Sequence, residues 1–241
     1  DLARATIAGH PPGSSAGGER PKFGAFVDGH HVLVKFAARS STGDVVARRW
    51  RDLLVLEALA LNVIAAHGVP AAQTSVIDTD SHYFLESRRF DRVGVRGRLA
   101  VLSLAAVHDD PADSWARAAV RLRETGRVSR DDARRLQWLD AFGILIANTD
   151  RHPYNVVFFT DGSTLRLAPA FDQTSSLYSP TDDGQVPPRV FTPSHATAET
   201  LEVWDHARAA AREFWLRAAD DARVADDVRV LAAANVRALS E

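Results

Sequence analysis

Residues 141–155 read Ala141-Phe-Gly-Ile-Leu-Ile-Ala-Asn-Thr-Asp150-Arg-His-Pro-Tyr-Asn155. A fully apolar helix end delivers the chain into a polar knot, and a strand-like run, Val156–Phe159, follows at once. Asp150 and Asn155 stand five residues apart in the knot, with His152 between them. A carboxylate and an amide at that spacing suit two tasks, orienting a reacting hydroxyl and offering hard oxygen to a cation. The same residue types also build Asx-type turns, in which side chains bond local backbone.

Downstream, Asp161–Gly162 joins Val156–Phe159 to Leu165–Leu167 as a hairpin. Just past it comes Leu167-Ala-Pro-Ala-Phe171-Asp172, which sets Asp172 17 residues beyond Asn155. Asp172 and Asn155 would make an oxygen pair for Mg²⁺, which otherwise keeps water and phosphate ligands. A lone aspartate after Pro-Ala-Phe can equally be a turn residue.

Upstream, residues 9–22 are rich in Gly, Ser and Pro and predict no regular element. A hairpin follows, Phe23–Val27 and Val32–Phe36 around Asp28–Gly29. Residues 44–67 predict a helix ending near Gly68, with Pro70 beyond it. Trp50, Leu53, Leu54, Leu61 and Ile64 share one stripe of that helix, and Glu57 lies in the middle of it. Lys35 interrupts the apolar run Val32–Phe36. A buried carboxylate costs several kcal/mol unless paired, so the two misfit charges are candidates to satisfy each other. A snorkelling lysine and a helix-rim glutamate would read the same way. Protein kinases use the paired arrangement to hold a strand lysine on nucleotide phosphates, and place an Asp-x-x-x-x-Asn loop and a later metal-binding aspartate in this chain order.

Two further strands are predicted near Thr74–Ile77 and Tyr83–Glu86, and helices over about 113–125, 130–147, 197–220 and 226–239. Ser129 with Asp132 resembles a helix start. The pattern is α+β: two lobes dividing near residue 90, a β-rich 1–90 and a helical 91–241. Arg117, Arg121, Arg123, Arg127, Arg130, Arg134 and Arg135 are interleaved with Glu124, Asp131 and Asp132. They read as a salt-bridged helix pair or as a docking surface for an acidic partner or nucleic acid. Trp204, Phe214 and Trp215 are expected in the core.

Composition narrows the classes. The 241 residues are 46% hydrophobic and 25% charged, a globular balance, with no apolar stretch long enough for a membrane span. A formal charge of −2 argues against a broadly basic nucleic-acid binder. Zero cysteines exclude disulfides, thiolate metal sites and a thiol nucleophile. The absence of methionine and of any signal pattern suggests a fragment or processed product, with the cytoplasm as the expected compartment.

Asn148-Thr-Asp-Arg-His152-Pro-Tyr-Asn155, Ala168-Pro-Ala-Phe-Asp172, Ser15-Ala-Gly-Gly-Glu-Arg-Pro-Lys22 and Phe84-Leu-Glu-Ser-Arg-Arg-Phe-Asp-Arg92 together resemble the HipA-like serine/threonine kinases, over about residues 12–220. The resemblance implies a two-lobed kinase-like fold, ATP and Mg²⁺ as cofactors, and a protein substrate, in known toxins an aminoacyl-tRNA synthetase among others. It is closest to the subgroup that carries its own DNA-binding segment upstream; that segment, or an antitoxin, is an expected partner lying outside this chain. By position, Lys35 would contact the α/β-phosphates and Glu57 orient it. Asp150 would act on the substrate hydroxyl, His152 brace the loop, and Asn155 and Asp172 hold magnesium. Gly17, Gly18 and Lys22 would form the loop over the phosphates. The segment Tyr83–Phe90, with Glu86, Arg88 and Phe90, would hold adenine. Arg88 replaces a glutamate usual in the family. Ser14, with Ser15 as the alternative, matches a serine that such kinases phosphorylate on themselves. A silent pseudokinase and a small-molecule phosphotransferase are the other readings.

Overall fold

The computed structural model describes residues 21–39 and 43–240. Strands β1 (Lys22–Val27) and β2 (His30–Ala38) form an antiparallel hairpin. Asp28 and Gly29 both take positive φ, 48° and 80°, as the right-handed twist of a two-residue hairpin requires. With β3 (Thr74–Asp78) and β4 (His82–Arg88) they make a four-stranded sheet in the order β1-β2-β4-β3.

Side chains alternate across this sheet. Phe23, Val32, Val34 and Phe36 pack on one face with Phe84. Ala37, Tyr83 and Leu85 pack on the other, against Leu54 and Ala58 of helix α1 (Val45–Ala66). Lys35 stands opposite Leu85 in the β2–β4 register, so it faces α1 as well. Asp44 caps α1 by accepting a hydrogen bond from the Ala47 amide at 2.9 Å. Leu53, Leu56, Leu61 and Ile64, on other sides of α1, enter the largest core together with Phe142, Phe158, Phe214 and Trp215. Burial on nearly all sides explains why this helix reads as almost continuously apolar.

Beyond the sheet come a short hairpin, β5 (Arg92–Val93) and β6 (Gly97–Arg98), then β7 (Val101–Ser103) and α2 (Leu104–Val107). Helices α3 (Trp115–Glu124) and α4 (Arg130–Leu145) follow, capped by Ser114 and Ser129. Strands β8 (Val157–Thr160) and β9 (Leu165–Leu167) complete a second sheet, β7-β8-β9. Helices α5 (Leu201–Asp220) and α6 (Asp226–Ala238) end the described chain. Trp204, Phe214 and Trp215 are buried, as the sequence implies.

Three expectations change. Lys22 is the first residue of β1, directly across from Lys35, rather than part of the irregular stretch. The helix predicted from 197 starts at Leu201, because Thr197 and Thr200 close a turn through their own hydroxyls. Elements β5, β6, β7 and α2 have arms of two to four residues, too short to show a period. Most of the arginine cluster is paired: Arg117 with Glu199 at 3.2 Å, Arg121 with Asp113 at 3.1 Å, Arg134 with Glu202 at 3.6 Å and Arg135 with Asp132 at 3.0 Å. Among the described residues no helix is long and apolar enough to cross a membrane.

Candidate active site

Lys35 and Glu57 meet. Lys35 Nζ donates to Glu57 Oε1 at 2.7 Å and Oε2 at 2.8 Å, with the residues 7% and 2% exposed. The same ammonium donates to Asp172 Oδ1 at 2.6 Å. Burial alone would lower the lysine's pKa, but Glu57 and then Asp172 overcome it, so the ammonium stays charged with its pKa raised.

Backbone geometry delivers Asp172. The Ala72 amide donates to the Ala170 carbonyl and the Ala170 amide to the Pro70 carbonyl, both at 2.8 Å, fixing the chain two residues earlier. Asp172 itself takes φ of 55°, a left-handed conformation uncommon outside glycine and held only where surrounding structure enforces it. Thr174 Oγ1 then donates to Glu57 Oε2 at 3.2 Å. Ser176 Oγ accepts from the Asp150 amide at 3.1 Å and the Thr149 amide at 2.8 Å. Two residues span at most about 7 Å, so this one segment ties the Lys35 cluster to the loop carrying Asp150.

In that loop, Asn148 Oδ1 accepts from the Asp150 amide at 3.0 Å, and Asn155 Nδ2 donates to the Asp150 carbonyl at 2.9 Å. The Asx-turn reading is therefore correct for the backbone. The Asp150 side chain takes no part in it; 65% exposed, it projects into solvent 3.8 Å from His152 Nε2. His152 is bonded within and beyond the loop: its Nδ1 accepts from the Tyr154 amide at 3.2 Å, and its carbonyl accepts from Trp115 Nε1 at 3.3 Å. The bond to the Asp150 carbonyl orients the Asn155 amide, whose oxygen is the atom able to ligate a cation. Among the described residues no trio of His, Asp or Glu is arranged around a metal. By donor chemistry Asn155 and Asp172 would each offer Mg²⁺ a hard oxygen, with the rest of the shell left to water and phosphate.

The other predicted residues are placed as follows. Lys22, opposite Lys35, lies on the same face of the β1–β2 pair. The Phe90 ring lies 5.9 Å from Phe171, next to Asp172. Glu86 and Arg88 pair with Val34 and Val32, so their side chains leave the sheet on the face opposite Lys35. Ser14, Ser15, Gly17 and Gly18 lie outside the described residues.

Residues not singled out from sequence also hold the loop. Arg151 donates from Nε to Asp140 Oδ1 at 3.2 Å and from Nη1 to the Asn148 carbonyl. Asp140, 2% exposed, accepts with its other oxygen from the Ala116 amide at 3.1 Å, joining α3, α4 and the loop. Its signal is in the sequence: a carboxylate inside the apolar run Trp138–Ile146, like Glu57 in its own helix.

A model of the HipA-like C-terminal domain matches residues 14–238. The chain is 34% identical over 239 residues to Toxin YjjJ of Escherichia coli strain K12, covering 96% of this chain and 54% of that protein. It thus spans about half the length of that curated relative. A chain of the Shewanella oneidensis MR-1 HipA, HipB and operator DNA complex superposes with a TM-score of 0.58 at 16% identity, over 95% of this chain and 64% of that one. The Helicobacter pylori proinflammatory kinase CtkA gives 0.61 at 11% identity, over 95% and 90%. These two likenesses show the fold, an α+β kinase-like architecture. With the domain match spanning nearly the whole chain, the protein belongs to the HipA-like C-terminal domain family.

Proposed function

We propose that this chain is the catalytic part of an ATP- and Mg²⁺-dependent protein serine/threonine kinase of the toxin type. The observation that carries the reading is Lys35 Nζ held between Glu57 and Asp172, at 2.7 and 2.6 Å. In this reading residues 1–90 hold the nucleotide and 91–241 the catalytic loop. Lys35, kept charged and oriented by Glu57, binds the α/β-phosphates, and Lys22 stands beside it. The segment ending at Phe90 holds the base. Asn155 and Asp172 hold magnesium, which when bound neutralises charge developing on the phosphates. Asp150 receives the proton of a substrate serine or threonine hydroxyl as that oxygen bonds to the γ-phosphorus and the bond to the ADP oxygen breaks. Its exposure leaves it open to a protein substrate, and the Asn148, Ser176 and Asn155 contacts to its backbone keep it in place. A bacterial protein, with aminoacyl-tRNA synthetases as one candidate, is the substrate class. Ser14 or Ser15 is a site of self-modification, and an antitoxin or DNA-binding segment is a partner.

A catalytically silent nucleotide-binding module is the alternative, and one observation favours it: Asp172 is engaged by Lys35, which competes with a metal for that carboxylate. Incubation of the chain with Mg·ATP followed by mass spectrometry separates the two. Incorporation of phosphate into Ser14, Ser15 or an added protein supports the kinase. ATP-dependent thermal stabilisation with no phosphate transferred supports the silent module.

A further inference from the structure

On the flank of the segment leading out of β4, a cleft of about 420 Å³ opens between the β1–β2 turn and the β5 strand. His30, His31, Arg88, Arg89 and Arg92 line it, with Gly29 and Gly94 at its rims, and no acidic side chain is among its described lining residues. None of Lys35, Glu57, Asp150, Asn155 or Asp172 lines it; Phe90, at the end of the segment assigned to the base, forms one wall.

The cations are arranged before any ligand arrives. Asp91, 8% exposed, accepts from Arg89 Nε at 2.7 Å and Nη2 at 2.6 Å. Asp91 also accepts from Arg92 Nη1, both at its carboxylate and, at 3.2 Å, at its carbonyl. One buried carboxylate thus orients two guanidiniums and leaves their combined charge positive. Donors remain: Arg89 Nη1, and Nε and Nη2 of Arg92, make no bond to Asp91. The His31 ring is held by Nε2 to the Val95 carbonyl at 2.9 Å. Arg88, exposed, reaches the Gln73 amide oxygen at 3.4 Å, a long contact that a stronger acceptor would replace. Guanidinium forks match phosphate oxygens in pairs, and their fixed orientation reduces the entropy lost on binding.

We propose that this cleft is a phosphate-binding site separate from the Lys35 cluster, taking a free phosphate or pyrophosphate or the terminal phosphate of a monoester. It goes beyond the kinase reading and stands without it, since it uses the Arg88 side chain and the Asp91-clamped arginines rather than the groups around Lys35. Within the cleft Arg88 is the adjustable cation, while Arg89 and Arg92 are preset.

Calorimetric titration at low ionic strength with inorganic phosphate, pyrophosphate and glycerol 3-phosphate tests it, using the wild-type chain, Arg88→Glu and Lys35→Met. Saturable binding is expected in the wild type, weakening as salt is raised. It should persist in Lys35→Met and fall about tenfold or more in Arg88→Glu, a loss of about 1.4 kcal/mol or more. An unchanged Tm for Arg88→Glu, and a cooperative unfolding transition above the titration temperature for Lys35→Met, confirm that both variants are titrated in the folded state. The preferred probe then names the source, pyrophosphate a free polyphosphate and glycerol 3-phosphate a monoester. Binding that survives Arg88→Glu at full strength, disappears in Lys35→Met, or is not saturable for any probe overturns the proposal. Because kinase activity is read separately, by phosphate transfer, either account can fail alone.

Discussion

Arg151 lies across Gly143: a Cβ built on that glycine would stand 2.7 Å from Arg151 Cδ. Gly143 is in α4 and Arg151 in the loop carrying Asp150, so the absence of a side chain on the helix is what lets the loop's arginine reach Asp140.

Gly143→Ala should therefore destabilise the protein, although alanine is the better helix former by about 1 kcal/mol. Arg151 is tethered at Asp140 and at the Asn148 carbonyl, so it cannot simply swing away. A loss of about 1–3 kcal/mol is expected from overpacking. Thermal denaturation of Gly143→Ala, Arg151→Ala and the double variant checks it. In the double variant the two losses should be less than additive, since removing Arg151 removes the clash. Full additivity would show that the two residues do not act on each other.

The Lys35–Glu57 pair makes an ordering prediction. Lys35→Ala strands a 2%-exposed carboxylate that, among the described residues, keeps the Thr174 hydroxyl as its side-chain donor, which should cost about 3–5 kcal/mol. Glu57→Gln keeps a polar group of the same shape and leaves Lys35 its contact with Asp172, so it should cost less. Chemical denaturation gives both values. The reverse order would contradict the pairing described.

A magnesium-specific effect is expected at Asp172. Asp172→Asn should weaken Mg·ATP binding more than binding of ATP in a chelator, because the substitution removes an anionic oxygen ligand. Equal losses in the two titrations would make Asp172 a structural residue.

Acid should destabilise the fold in two windows. His206 Nε2 and His67 Nδ1 lie 3.0 Å apart, and His67 Nε2 is 2.8 Å from Glu213. Burial, then His67 and Arg134, hold the His206 imidazole below its ordinary value of 6.5. The unfolded chain then binds more protons, so stability falls as pH drops below about 6.5. Glu213 is held below its ordinary 4.5, first by the hydrogen bond from His67. Its contribution is present above that value and is lost as pH falls through the folded-state pKa. A Tm profile against pH should flatten in the upper window alone for His206→Asn. An unaltered profile would refute this role for His206.

How much of the site was legible depended on whether its logic was local. Asp150, Asn155 and Asp172 showed in their spacing, and Lys35 and Glu57 showed because a charge inside an apolar pattern demands a partner. The hairpin around Asp28–Gly29 and the start of α4 at Ser129 showed through turn and cap chemistry. Thr174 and Ser176 did not show, because hydroxyls in an irregular segment carry no period and their roles come from the chain's return past Glu57 and Asp150. Lys22 reads as part of the irregular stretch, because only the strand register reveals that it stands opposite Lys35. Arg88 belongs to the segment that the resemblance implies holds adenine largely through backbone groups, and only strand alternation reveals that its side chain leaves on the face opposite Lys35.

The central claim is that Asp150 acts on the hydroxyl rather than on the nucleotide. Single-turnover phosphate transfer from Mg·ATP, measured with ATP affinity for the wild type and Asp150→Ala, tests it most directly. The account predicts a rate lower by about 10²–10⁴-fold, with ATP affinity changed by less than about tenfold. Near-normal transfer in Asp150→Ala would contradict it.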